Sequence, residues 1–222
     1  MRRFPENGLI VSCYLESMSG SERDFISAVA HAPGVVGLRV EGLENIEFAR
    51  RIAPDIWIGG LVKVFDGSRN LITPDLLAMG RAIINAGADI VAAENIIGWA
   101  WKNQTIRVDG IGVPFKVMWD LKAEDFESHG DDVRIKDADA CRIRQMALSE
   151  EIVLATTFIP KAFSHLHALR YQFPDVKINL EGGIQTAAEY SQAFTLGANY
   201  VTIGKAINDP RTIIETILRG KN

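Results

Sequence analysis

The sequence has few of the residues that mark a secreted, metal-binding or membrane protein. Its 222 residues include only two cysteines, Cys13 and Cys141, which are too few for a disulfide framework and lack metal-ligand spacing. No run of about 18 apolar residues is present to span a bilayer. Residues 1–7 lead into a predicted strand without the apolar segment of a signal peptide. These absences predict a cytoplasmic protein.

A surplus of positive charge is also missing. The formal net charge is −4, and binding to a nucleic-acid backbone needs an excess of lysine and arginine. We therefore expect neither a nucleic acid nor a membrane as partner. The four histidines do not form a metal site, because His31 and His129 lie in predicted helix-end or loop positions, and His165 and His167 are two residues apart on a helix.

What the sequence does contain is a series of short apolar runs, each followed by residues with helical spacing. Runs of this kind are typical of strands that are buried on both faces of a parallel sheet. A strand roughly every 25 residues implies right-handed crossovers. The eight predicted strands are residues 9–13, 35–40, 56–63, 90–94, 114–120, 152–157, 176–180 and 200–203.

The first predicted strand favours a closed barrel over an open doubly wound sheet. An open sheet usually carries a dinucleotide-type glycine cluster after this strand, and residues 14–20 contain no such cluster. With 47% hydrophobic residues, the chain can bury one sizeable core. We predict one domain over residues 1–222, a single (β/α)8 TIM barrel with parallel strands.

Several local features refine this prediction. Thr73 is predicted to cap a helix with Pro74 in its first position. The sequence pattern at 86–89, Ala-Gly-Ala-Asp, is closely repeated at 196–199, Leu-Gly-Ala-Asn. This repetition predicts that the same helix-to-strand turn is used twice. Two stretches fit less well: we expect residues 99–112 to form a short helix and a lid, and residues 124–139 to form a solvated loop leading to a helix around 141–148.

Two strands near the C-terminus end in glycine and predict phosphate-type loops after strands seven and eight. Bare backbone N–H groups in such loops can face an anion at a helix N-terminus, and (β/α)8 barrels use this arrangement to hold phosphate. The glycines are also compatible with tight turns alone. The predicted phosphate-binding residues are Gly182, Gly183, Gly204 and Lys205.

A series of different short motifs extends along nearly the whole chain, and their order is informative. They are residues 8–13, 36–39, 60–63, 71–74, 86–92, 118–120, 155–157, 180–184 and 201–207. In these motifs the sequence resembles the N-acetylmannosamine-6-phosphate 2-epimerases, a family of bacterial (β/α)8 enzymes of sialic-acid catabolism. Each motif is short, but their shared order is specific.

The resemblance implies roles for residues at the strand ends. It implies that Lys63 and Glu181 are the acid/base residues and that Arg39 contacts the sugar. Alternatives remain for each, since a lysine at a strand end can be a solvated flank and an arginine can serve in a structural ion pair with Glu41 or Asp120. The expected substrate-binding residues are Arg39, Asp120, Glu94 and Thr157.

The sequence departs from the family pattern in the loops. The family glutamine after the first-strand cysteine is Tyr14, and the Arg-Asp after the strand-three lysine is Val64-Phe65. Other departures are Glu94 for an aspartate, residues 96–99 for a basic loop, Gly183 for an arginine, and Lys205 and Asp209 for a serine and an arginine. These changes leave the sugar's identity open, and Lys205 is a candidate to replace the lost positive charge.

The chemistry that these residues support is inversion at a carbon next to a carbonyl, which needs a base and a proton donor on the opposite face. We predict an isomerase that converts N-acetylmannosamine 6-phosphate to N-acetylglucosamine 6-phosphate, with neutral Lys63 as base and Glu181 delivering the proton. No metal or organic cofactor is required. Another sugar-phosphate epimerase, a Schiff-base aldolase and a non-catalytic phosphosugar-binding barrel remain alternatives, and the oligomeric state, a homodimer included, is open.

Overall fold

The computed structural model describes residues 5–13, 22–62, 75–94, 117–121, 125–129, 132–137, 140–141, 143–144, 152–157, 162–204 and 207. The helices bounded within these ranges are α1 Glu22–Ala30, α2 Leu43–Ile52, α3 Leu76–Asn85, α4 Ala162–Gln172 and α5 Ala187–Thr195. The strands are β1 Gly8–Ser12, β2 Val35–Glu41, β3 Trp57–Val62, β4 Ile90–Glu94, β5 Val117–Leu121, β6 Phe126–His129, β7 Asp132–Ile135, β8 Ile152–Thr157, β9 Lys177–Glu181 and β10 Tyr200–Ile203.

Eight of the strands form a closed barrel in the order β1-β10-β9-β8-β5-β4-β3-β2. All neighbouring pairs are parallel, and β1 closes the ring by pairing with both β10 and β2. This confirms the predicted (β/α)8 fold, and each predicted barrel strand is present. Because the strands are parallel, their carboxyl ends share one end of the barrel, which we call the mouth.

The barrel encloses a packed apolar interior. Side chains alternate along each strand between the inside of the barrel and the layer shared with the helices. Trp57 and Tyr200 stack inside with ring centroids 6.4 Å apart and an interplanar angle of 7°. The other buried interior residues are Ile10, Ile90, Ala92, Met118, Val153 and Ala155. Among the described residues, this packing favours the mouth over the barrel axis as the place for a ligand.

The prediction of a solvated loop at residues 124–139 is wrong, because β6 and β7 form an antiparallel hairpin there. Phe126 and Ile135 are buried, and the Phe126 ring meets the edge of the His165 ring with centroids 4.5 Å apart. The Gln172 side chain accepts the Ile135 N–H at 2.9 Å and donates to its carbonyl at 3.3 Å. The hairpin thus packs on α4.

The predicted helix cap at Thr73 is also corrected. Asp75 is the N-cap of α3, and its carboxylate accepts the backbone N–H of Ala78 at 2.8 Å. A side-chain oxygen three residues before an N–H is the usual capping geometry, which Asp75 satisfies ahead of Leu76. Thr73 and Pro74 lie outside the described residues, as does the predicted helix and lid at 99–112.

The turn predicted twice is present twice, at the amino-terminal end of the barrel. In the first corner, Gly87 follows α3 with a φ of 108°, a conformation that favours glycine. Arg50 donates to the carbonyls of Gly87 at 2.8 Å, Pro54 at 3.0 Å and Ile56 at 2.8 Å. Its second terminal nitrogen contacts the Asp89 carboxylate at 2.5 Å. One guanidinium therefore joins α2, β3 and the turn before β4.

The second corner repeats these bonds with a neutral partner. Gly197 has a φ of 99°, and Arg170 of α4 donates to its carbonyl at 2.7 Å and to that of Val176 at 3.1 Å. The residue that corresponds to the aspartate is Asn199, whose side-chain oxygen accepts from Arg170 at 2.7 Å and from the Ile178 N–H at 3.0 Å. The two corners thus have the same hydrogen-bond arrangement, with a charged acceptor, Asp89, in the first and a neutral acceptor, Asn199, in the second.

Candidate active site

Two charged residues face the mouth from opposite parts of the sequence. Arg39 lies on β2 and Glu181 is the last residue of β9. Their sequence neighbours pack in the layer between sheet and helices, so strand alternation directs both side chains to the inside of the barrel. The fold thus brings together the predicted sugar-contacting arginine and the predicted acid/base glutamate.

Arg39 and Glu181 form an ion pair between a terminal guanidinium nitrogen and a carboxylate oxygen. The side chains are 3% and 12% exposed, respectively. In the barrel, β1 and β10 separate their strands, so the pair spans two intervening strands. Coulombic attraction is stronger at such a position than in water, so the contact favours the charged forms of both groups.

Two buried polar side chains lie next to the ion pair on β9 and β10. Thr202 donates to the side-chain oxygen of Asn179 at 2.9 Å, and the Asn179 amide points to the Met118 sulfur at 3.7 Å. Asn179 precedes Glu181 by two residues on β9, and Thr202 is the register partner of Glu181 on β10. Their hydrogen bond joins β9 to β10 beside the ion pair.

The loop after β9 has the backbone of a glycine turn. Gly182 and Gly183 have φ angles of 83° and 78°, values at which a side chain is strained. The following helix α5 caps itself: the Glu189 carboxylate accepts the N–H groups of Gln185 at 2.8 Å and Thr186 at 2.9 Å. An anion at this loop would therefore meet the amides of the two glycines rather than those of Gln185 and Thr186.

Gly204, directly after β10, differs from these two glycines. Its φ is outside the left-handed region, and a Cβ built on it would lie 3.4 Å from the Cβ of Ser12 and 3.9 Å from its Oγ. Those are ordinary contact distances, so neither the backbone nor the packing of the described residues requires glycine here. Lys205, the next predicted phosphate-binding residue, lies outside the described residues.

The remaining predicted site residues occupy the same end of the barrel. Register pairs Glu94 with Asp120 on β4 and β5, and Thr157 with Glu181 on β8 and β9. All four are at or next to the carboxyl ends of their strands. Lys63 follows β3 directly in sequence and lies outside the described residues.

Sequence reasoning did not single out the polar residues around the ion pair. Ser12, Asn179 and Thr202 occupy alternate positions with interior residues on β1, β9 and β10. The signal in the sequence is a polar residue near the end of an apolar strand, at a position whose side chain points into the barrel. It required knowing which face of each strand looks inward, which the barrel register supplies.

The neighbouring Cys13 is not a reactive nucleophile. Burial raises the pKa of its thiol to about 12, and the thiolate is the reactive form. Among the residues that the structure describes, no three His, Cys, Asp or Glu side chains are grouped to hold a metal ion. In the same part of the chain, no helix combines the length and apolar character needed to cross a bilayer.

Sequence comparison with known proteins, rather than a match to a family model, assigns the chain to a family. No family model matches it. A Synechococcus elongatus protein named "Putative N-acetylmannosamine-6-phosphate 2-epimerase" is 30% identical over 91% of this chain and 88% of its own length. A Yersinia pestis protein of the same name is 38% identical, but the match spans only 41% of each chain.

Among solved structures, the N-acetylmannosamine-6-phosphate 2-epimerase from Clostridium perfringens superposes with a TM-score of 0.63. It is 17% identical and covers 96% of this chain and 92% of its own, so this likeness shows the barrel fold. The family follows from the sequence match over nearly the full length of the Synechococcus relative. The chain belongs to the N-acetylmannosamine-6-phosphate 2-epimerase family.

Proposed function

We propose that this protein catalyses the reversible inversion of C2 in N-acetylmannosamine 6-phosphate, giving N-acetylglucosamine 6-phosphate. The observation that carries the proposal is the Arg39–Glu181 ion pair at the mouth, beside the glycine loop after β9. A buried carboxylate at the carboxyl end of a barrel strand is where such enzymes keep their reacting groups. Family membership supports this choice of substrate. The activity would serve sialic-acid catabolism in the cytoplasm.

The reaction needs two groups on opposite faces of C2 in the open-chain sugar, where the C2 proton is acidified by the neighbouring carbonyl. One group accepts the C2 proton, the electrons of the C–H bond move to the carbonyl oxygen as an enolate, and the other group returns a proton to the opposite face. Glu181 and Lys63 are our candidates for these groups. Arg39 contacts the sugar and holds the Glu181 carboxylate in place.

The ion pair changes the roles that we expect for Glu181 and Lys63 as proton acceptor and proton donor. Sequence reasoning made neutral Lys63 the base. The Arg39 contact favours the ionised form of Glu181, which is the form that can accept a proton, although the same contact makes the carboxylate a weaker base. In one direction Glu181 therefore accepts the C2 proton and the Lys63 ammonium donates to the other face. In the reverse direction the neutral lysine accepts and the carboxylic acid of Glu181 donates, so a full cycle restores both groups.

The rest of the mouth would hold the two ends of the substrate. We assign the phosphate to the amides of Gly182, Gly183 and Gly204 and to the Lys205 ammonium, because amides and cations both stabilise anions. The sugar hydroxyls and acetamido group would contact the side chains of Asp120, Glu94 and Thr157. No step requires a metal or an organic cofactor.

The proposal is tested by incubating the protein with N-acetylmannosamine 6-phosphate in deuterated water. We expect deuterium at C2 and a mixture of both epimers, measured by proton NMR, with both signals lost in Lys63→Ala. Unphosphorylated N-acetylmannosamine is the matched substrate control. Tight binding without exchange would instead identify a phosphosugar-binding protein, and a covalent adduct trapped by borohydride would identify a Schiff-base aldolase.

A further inference from the structure

Ser12 occupies a position between the two parts of the proposed site. It is the last residue of β1, the strand that lies between β2 and β10. On one side its register partner is Arg39. On the other side Val11 pairs with Ile203, so Ser12 comes level with Gly204. The residue therefore stands between the ion pair and the loop after the last strand.

The side chain of Ser12 faces the mouth. Val11 and Cys13 pack in the layer between the sheet and the helices, whereas Ile10 lies in the barrel interior. Because side chains alternate along a strand, Ser12 points to the same side of the sheet as Ile10. Ser12 lies two residues nearer the mouth. Ser12 is half-buried, so its hydroxyl is reachable from the mouth while its position is fixed by the strand.

The neighbouring glycine leaves space beside this hydroxyl. The missing Cβ of Gly204 would lie 3.9 Å from Ser12 Oγ, and among the described residues neither φ nor a neighbouring atom explains why residue 204 lacks a side chain. A ligand oxygen that enters this space and moves about 1 Å towards Ser12 reaches hydrogen-bonding distance of the hydroxyl. A requirement for close approach by a ligand does explain the glycine.

We propose that Ser12 is a substrate-binding residue whose hydroxyl donates to an oxygen of the sugar's anionic group and so completes the phosphate site at Gly204. This rests on the proposed function for the identity of the substrate. A serine hydroxyl has one donor and two acceptor positions, so it can donate to the anion while accepting from a protein group. Hydrogen bonds to charged groups are the stronger kind, and the loss of one typically weakens binding by about tenfold or more.

The experiment compares Ser12→Ala with the wild-type protein on phosphorylated and unphosphorylated N-acetylmannosamine. For the phosphorylated sugar we expect KM to rise about tenfold with kcat retained. For the unphosphorylated sugar we expect kcat/KM to stay the same. Calorimetry with inorganic phosphate as probe should show a similar rise in dissociation constant. Ser27→Ala, which removes an exposed hydroxyl of α1 that donates to Arg23, is the matched control and should change none of these values.

Three outcomes would overturn the inference. An equal loss on both sugars would place Ser12 at the reacting carbon, and unchanged phosphate binding would remove it from the anion site; a wild-type protein that does not bind phosphate would do the same. Ser12→Cys, with a similar shape and a weak donor, should repeat the loss if the alanine variant folds poorly. If the wild-type protein binds phosphate without epimerising, the proposed function fails while a weaker Ser12→Ala complex still supports this assignment.

Discussion

The two ends of the barrel use arginine in different ways. At the amino-terminal end, Arg50 and Arg170 bind backbone carbonyls of their own corners. At the mouth, Arg39 contacts Glu181, a carboxylate on a strand that is not its neighbour in the sheet. The first arrangement ties consecutive elements together. The second holds a charged group where a ligand can enter.

The two corners show what charge contributes at the amino-terminal end. Asp89 and Asn199 accept from an arginine at 2.5 Å and 2.7 Å and from a strand N–H at 2.9 Å and 3.0 Å. Because a neutral amide reproduces the geometry, the corners depend on hydrogen-bond acceptors rather than on negative charge. In the proposed reaction, by contrast, proton transfer at the mouth would depend on the carboxylate itself. This agrees with the usual division in such barrels between a stabilising and a reactive end.

The largest effect should come from Glu181→Gln at the mouth. The carboxamide keeps the shape and can accept from Arg39, but it cannot take a proton, so we expect kcat/KM to fall roughly 10³-fold. The free energy of unfolding should fall by about 1–3 kcal/mol, because Arg39 loses its counter-charge. Epimerase assays and urea unfolding measure the two effects.

The control for this variant is Asp89→Asn, which makes the same carboxylate-to-carboxamide change at the Arg50–Asp89 pair of the first corner. We expect its kcat/KM to equal that of the wild-type protein. A comparable loss of activity in both variants would break the distinction between the two ends, because it would show that the amino-terminal charge also serves the reaction.

The next effect should come from Arg170→Ala at the second corner. Removal of this guanidinium leaves several carbonyls and Asn199 without their donor, and we expect the free energy of unfolding to drop by about 3 kcal/mol. The kcat of the folded enzyme should not change, since the corner lies at the far end of the barrel. Urea unfolding, with activity scaled to the folded fraction, separates these results; a fall in kcat of the folded enzyme would contradict the division.

The smallest effects should come from exchanging the two corner acceptors. Asp89→Asn copies the second corner into the first, and Asn199→Asp does the reverse. Since both residues accept the same pair of hydrogen bonds, each change should alter the free energy of unfolding by less than about 1 kcal/mol. Thermal and urea unfolding of the single variants test this. A loss of several kcal/mol in Asp89→Asn alone would show that the first corner needs its charge.

Sequence reasoning recovered the barrel because its signals are local. The strands are buried on both faces and appear as short apolar runs, and the glycine turns at residues 87 and 197 repeat in sequence. The hairpin at β6 and β7 was missed because its two four-residue strands are polar in composition. What buries Phe126 and Ile135 is α4, which comes much later in the chain.

The site was only partly predictable for the same reason. Glu181 and Arg39 were identified through a family resemblance, but their contact depends on the closure of the barrel through β1 and β10. The spatial relation of Ser12 to Gly204 likewise arises from the pairing of the first strand with the last. Distant pairings of this kind leave no mark on the residues next to either partner.

The bond between Gln172 and the hairpin has a consequence for association. A free strand edge is a template on which another chain can pair, and proteins commonly block it. The carboxamide of Gln172 bonds both the N–H and the carbonyl of Ile135, as one residue of a third strand would. A single side chain thus removes this point of attachment, so the separate two-stranded sheet of β6 and β7 offers no free backbone groups at Ile135.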